Sequence, residues 1–253
     1  MMITVIESAD RHFWANEWLT SRQSFPGTGN FDLFDNAHGV LVMHNDDVVD
    51  AGEGLDAHRH QNMEILTWVL DGAVTHRDSA GNTGTLPAGT LGVMSAGTGI
   101  THAETNAATR AERSPLRVVQ MWVAPHTDGL PPQQSEHRFD DTLASGQPVI
   151  VASGRPEHEG SDVARIANRF AALHIARPLP GATIDLPGAP FGHLYVARGA
   201  VTVDADGEQH GLGEGDAVRL TDSGAVQVTA AIDADRPEIL YWEMHASFDL
   251  VRS

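Results

Sequence analysis

"DAHRHQNMEILTWVLDGAVTH", residues 56–76, decides the fold. Its centre, Met63 to Leu70, is a short apolar run rich in Ile, Leu, Val and Trp, closed by Asp71–Gly72. A run of that make-up bounded by turn residues reads as a β-strand. Its beginning sets His58 and His60 either side of one arginine. Residues two apart on a strand face the same side, so both imidazoles point toward one interior.

The same pattern recurs outward from this stretch. Runs from His38 to His44, Leu116 to Ala124, His193 to Ala205 and Glu238 to His245 are each short, apolar and bounded by turn residues. Asp71–Gly72 and "ADG" ending at Gly207 are hairpin signals. Helical periodicity is weak, with short candidates only around Asp10 to Trp18 and Ser161 to Arg165. The chain therefore reads as all-β and mostly antiparallel, with few short helices.

The pattern also repeats. "VLDGAVTH" (Val69 to His76) resembles "VARGAVTV" (Val196 to Val203), and "LPAGTLGVM" (Leu86 to Met94) resembles "LGEGDAVRL" (Leu212 to Leu220). Gly72 precedes Gly89 by 17 positions and Gly199 precedes Gly215 by 16. Two tandem β-barrel modules are the expectation, residues 1–130 and 131–253. The polar, Pro-bearing stretch from Thr127 to Pro148 reads as their connection.

Composition narrows the chemistry. The chain has 253 residues, 41% hydrophobic, and a formal net charge of −18. An acidic surface repels phosphate backbones and anionic lipid, so neither direct nucleic-acid binding nor membrane adhesion is expected. There are no cysteines, which excludes disulfides, thiolate metal sites and cysteine nucleophiles. Neither a secretory signal pattern nor a membrane-spanning apolar run is present, so a cytoplasmic protein is expected.

A second pair of chemistry-bearing residues lies in "SAGTGITHAETN" (Ser95 to Asn106), where His102 and Glu104 stand two apart. Two strand-like segments thus offer His–x–His and His–x–Glu. If they meet, three neutral nitrogens and one carboxylate surround one first-row divalent metal, with coordination positions left for water or substrate. Of the 14 histidines, ten lack such partners and read as structural or solvated. His76, in "THRDSAGN", reads as hydrogen-bonded near a turn. Met63, Met94, Trp68, Met121 and Trp122 either line a pocket for an aromatic molecule or fill the core.

These motifs carry a family resemblance. "GEGLDAHRHQNMEILTWVLDG" and "GTLGVMSAGTGITHAETN" resemble the two cupin motifs, and "HRDSAGNTG", "MSAGTGITHAE" and "LRVVQMWV" resemble the pirin family with its bacterial quercetinase-like branch. Cupins generally take a carboxylate ligand four residues after the second histidine of the first motif. Glu64 follows after three, and alignment on Gly72 puts Ile65 in that slot. The pirin pattern implies His58, His60, His102 and Glu104 as the ligands, with Glu64 a supporting or outward residue. Counting from Gly199 and Gly215 puts Asp185, Pro187 and Val228 at the corresponding places of the second module, so no second metal site is expected.

The resemblance implies a bicupin of two jelly-roll barrels, and a metal-dependent dioxygenase opening flavonols such as quercetin with loss of carbon monoxide. Glu104 is then both ligand and the base that takes the substrate proton. Iron(II) is the expected ion, though Mn, Ni, Co, Cu or Zn suits the same donors. The partners implied are a small aromatic substrate and dioxygen, with no protein partner specified. Two alternatives stand beside this: a non-enzymatic redox sensor or protein-binding regulator, and another small-molecule metalloenzyme on the same scaffold.

Overall fold

A computed structural model describes residues 1–25, 36–235 and 237–252. Among these, 22 strands make up nearly all the regular structure. The α-helices described are short, Asp140–Leu143 and Phe248–Arg252, and a 3-10 turn spans Pro156–His158. None is long and apolar enough to cross a membrane.

Each half of the chain stacks a seven-stranded sheet on a four-stranded one. In the first half the larger sheet runs Gln133–Arg138, Thr90–Ser95, Glu64–Asp71, Leu116–Val123, Leu41–Val49, Leu19–Gln23, His12–Ala15. It faces the sheet Gly54–His60, Ile100–Asn106, Ala73–Asp78, Thr83–Pro87. In the second half the larger sheet runs Met2–Ile6, Ala217–Thr221, Phe191–Arg198, Glu238–Met244, Ala171–Ala176, Val149–Ser153, Ala164–Arg165. Its partner is Thr183–Leu186, Val226–Ala230, Val201–Ala205, Glu208–Leu212. Pairing is antiparallel except between Val149–Ser153 and Ala164–Arg165. This is the two-barrel, all-β architecture expected.

The sheets cross the expected 130/131 division twice. Met2–Ile6 pairs with Ala217–Thr221 of the second barrel, and Gln133–Arg138 pairs with Thr90–Ser95 of the first. The stretch expected to be a plain connection thus contributes an edge strand and a helical turn. Neither expected helix forms: His12–Ala15 is a strand, and Ala164–Arg165 is a short strand preceded by bends. His12–Ala15 is held by backbone pairing to Thr20–Gln23, residue for residue, as the sheet's edge strand.

The two glycine signals also divide. Asp206 and Gly207, both at positive φ (52° and 83°), join adjacent paired strands as a two-residue hairpin. Gly72 instead turns the chain from the larger sheet to the smaller one. A Cβ there would stand 2.9 Å from the Pro115 carbonyl oxygen, at a φ of +75° that favours glycine. Gly199 makes the same corner in the second barrel at φ +73°. The tandem repeat is therefore a repeat of corners.

Alternation along the buried strands builds three separate interiors. Ile65, Thr67 and Val69 face the first barrel's interior, while Leu66, Trp68 and Leu70 face the second barrel. The largest apolar cluster lies between the barrels, joining Trp68, Leu91 and Met121 to Leu173, Tyr195 and Trp242. Trp68 and Met121 are fully buried there, with the Trp68 indole donating to Glu238 (2.6 Å) and the Trp242 indole directed at the Met121 sulfur (3.2 Å). They belong to core.

Candidate metal centre

The first barrel's smaller sheet brings the two sequence pairs together. In the ladder His102 lies opposite His58, and Ile100 opposite His60. Beyond His102 the register shifts, so that Glu104 pairs with Leu55. Asp56 and Ala57 oppose the single Ala103, a bulge that re-aims the residues on either side of it. Close strand approach beside Glu104 requires Gly54, where a Cβ would meet the Glu104 carbonyl oxygen at 2.4 Å.

The donor atoms of His58, His60 and His102 all lie within 4.8 Å of one another. Their ring centroids are 4.5–5.1 Å apart. His58 Nδ1 lies 2.8 Å from the Asp56 carbonyl oxygen. A carbonyl only accepts, so Nδ1 carries the proton and Nε2 keeps its lone pair for an ion. His102 is 2% exposed, and neither ring nitrogen has a hydrogen-bond partner. A buried imidazole left without partners is costly unless something fills the place. Burial, aided by neighbouring His58, depresses His60 to about 4. Burial, with His58, His60 and His76, depresses His102 to about 3. Both are neutral near pH 7, the form that ligates. The donor set fits a first-row divalent ion.

Glu104 joins a second triplet. Its carboxylate lies within 4.8 Å of the donor atoms of His102 and His76, whereas the triplet of His58, His60 and His102 does not include it. His76, expected at a turn, is buried directly across the ladder from Glu104, its ring 5.3 Å from that of His102. The signal for it was present: in "AVTHRD" it follows the inward Val74 by two. The Glu104 carboxylate accepts from Thr67 Oγ1 (3.2 Å) and Gln120 Nε2 (2.7 Å). Burial raises its pKa, against the pull of His76 and these two donors.

Thr67 and Gln120 belong to a polar row that sequence reasoning missed. Gln23, Asn45, Gln120 and Thr67 are successive cross-strand partners over four strands of the larger sheet. Gln120 also accepts from the Trp122 indole (3.2 Å), whose rings stand edge-on to His60 at 4.9 Å. The hint was a lone glutamine inside "LRVVQMWV". Glu64 faces away from this interior and accepts from Ser95 Oγ (2.6 Å) and the Ala167 amide (2.8 Å).

His58, His60, Trp14 and Trp122 border a cavity of ≈ 400 Å³ that reaches the surface. Of the five residues weighed between pocket and core, Trp122 lines this cavity. Met63 and Met94 pack in an apolar cluster beneath it.

Among the described residues, no such set occurs in the second barrel. Strand pairing, rather than counting, identifies the equivalents: Leu186 pairs with Val226 as His58 does with His102, and Val203 with Val228 as His76 does with Glu104. All four are buried and apolar. Asp185, found by counting, points outward and accepts from Gln227. Counting missed them because the second barrel is one residue shorter between Leu186 and Gly199 and two shorter between Gly215 and Val226.

Comparison with known proteins agrees with this architecture. The family profile described as Pirin matches residues 9–123. A Mycobacterium tuberculosis protein provisionally named a quercetin 2,3-dioxygenase is 44% identical over 245 residues, 96% of each chain. The quercetin 2,3-dioxygenase of Escherichia coli K12 is 40% identical over 151 residues, 60% of this chain and 63% of that one. The crystal structure of the E. coli bacterial pirin YhhW in complex with nickel(II) superposes with a TM-score of 0.83 at 28% identity, covering 97% of this chain and 100% of that one.

Proposed function

Because the chain belongs to the pirin family, we propose that it is a metal-dependent oxygenase that opens flavonols such as quercetin with dioxygen. The observation that carries this reading is the access of His58 and His60 to the ≈ 400 Å³ cavity beside Trp122. A sealed histidine cluster would suit a redox sensor. An accessible one beside a cavity of this size suits a small-molecule enzyme.

In this reading His58, His60, His102 and Glu104 hold the ion, which is iron(II). The related YhhW was crystallised with nickel(II), and these donors suit either. When bound, such an ion supplies Lewis acidity that lowers the pKa of a coordinating hydroxyl. The chain's own residues do the rest. Asp56, through its carbonyl, fixes the His58 tautomer. Thr67 and Gln120 hold the Glu104 carboxylate in place. Glu104, whose burial makes its anion a stronger base, takes the proton of the substrate's enolic hydroxyl. Trp122, anchored through Gln120, forms a wall for a planar ring.

Oxygen uptake and carbon monoxide release would be followed with quercetin after anaerobic iron(II) loading. Equal amounts of each are expected, and Glu104→Gln should reduce the rate about 100-fold or more. Stoichiometric metal with no quercetin-dependent uptake would overturn the reading.

A further inference from the structure

Across the cavity from the histidines lie polar groups that the proposed chemistry does not use. Asn45 and Asp47 project from one strand into the same space as His58 and His60. Asn45 is 6% exposed. Gln23 and Ser21, their cross-strand neighbours, bond each other (Gln23 Nε2 to Ser21 Oγ, 3.2 Å). The carbonyl oxygen of Asn45 and one carboxylate oxygen of Asp47 are buried and have no partner.

The fold does not need a carboxylate at Asp47. Val118 pairs with Val69 and Asp47, and its equivalent in the second barrel, Ile239, pairs with Val196 and Ala176. Ala176 thus stands where the first barrel has Asp47, buried and apolar. A carboxylate at this place weakens a core unless a ligand uses it.

Both orphaned atoms are oxygens, so the complementary ligand group is a hydrogen-bond donor. We infer that Asn45 and Asp47 form a hydroxyl-reading subsite, which selects polyhydroxylated aromatic substrates over analogues bearing only the metal-binding hydroxyl. The inference rests on the flavonol reading and names what that site prefers. Burial raises Asp47 to about 7, outweighing the hydrogen bond from Ser21, so its carboxyl holds a proton near neutrality more readily than an exposed one does.

The test uses iron(II)-loaded protein under anaerobic conditions. Binding of quercetin, which carries further hydroxyls, and of 3-hydroxyflavone, which carries only the metal-binding one, is read by quenching of tryptophan fluorescence. Metal content is measured for every variant. A site built to bond hydroxyls rejects an analogue lacking them, so the wild type is expected to prefer quercetin about tenfold or more. Asp47→Ala should cut that preference about tenfold, while Asp47→Asn, which keeps a carbonyl acceptor, should retain most of it. A preference unchanged in Asp47→Ala would mean that water satisfies these oxygens, and the subsite would be overturned. Absence of a preference in the wild type, or of any binding, would overturn it as well. Preferential binding without oxygen consumption would sink the oxygenase and leave the subsite standing. Equal binding of both flavonols with oxygen consumption would do the reverse.

Discussion

His102 is shared by two overlapping triplets, one with His58 and His60, the other with His76 and Glu104. The first has the rings closest together and an oriented donor at His58. His76→Ala is therefore expected to keep full metal content, whereas His102→Ala should lose it, both read by elemental analysis of purified protein. Loss in His76→Ala would move the ion to the second triplet. His58, His60, His102 and Glu104 could be singled out in the sequence because each pair alternates along its own strand. Asn45 and Asp47 could not, and His76 and Gln120 left only a hint. Each is one polar residue within a strand, and only the strand's register tells whether it faces inward. Cross-strand pairs such as Glu104 with His76 join residues 28 positions apart, and no local pattern reports them.

At the scale of elements, the bulge opposite Ala103 and the tight contact at Gly54 set the spacing between the ligand strands. Gly54→Ala puts a Cβ against the Glu104 carbonyl and should destabilise the protein by about 1–3 kcal/mol in urea unfolding. It should also lower metal affinity. Gly211→Ala is the control: a Cβ there meets nothing within 4 Å, and it should be neutral. Equal effects would show that the Gly54 contact has no special role. Central strands could be read from their apolar runs. The edge strand Gln133–Arg138 could not, because it pairs through its backbone while its side chains stay polar. The corner at Gly72 looked like a hairpin because both devices need a glycine at positive φ. Sequence does not say whether the next strand returns to the same sheet.

Over the whole molecule, the buried contact between the barrels contains His44 and His193, both fully buried, their rings 4.6 Å apart and without hydrogen-bond partners. Burial, together with Arg11 beside His44 and with His44 and Arg219 beside His193, holds both pKa values well below the ordinary range. Burial likewise lowers His60, His102 and His174. Such groups take up protons more readily unfolded than folded, so their contribution is full above the unfolded histidine pKa and declines as pH falls toward the folded values. Asp47, Glu64 and Glu104, raised by burial, act in the opposite sense but are fewer. The metal-free protein should therefore lose about 5 °C or more of Tm between about pH 7 and pH 5. A flat or rising Tm would contradict this balance. The tandem repeat exposed the two barrels in the sequence. Their packing was not exposed, because the sequence favours core for Trp68 and Met121 without telling which of two interiors they enter until the faces of their strands are known.

The most direct test of the central claim compares metal content in the wild type with that in the His58→Ala, His60→Ala double variant, each refolded or loaded identically and confirmed as folded by circular dichroism. The account predicts a stoichiometric divalent ion in the wild type and almost none in the variant. Full occupancy in the double variant would contradict it.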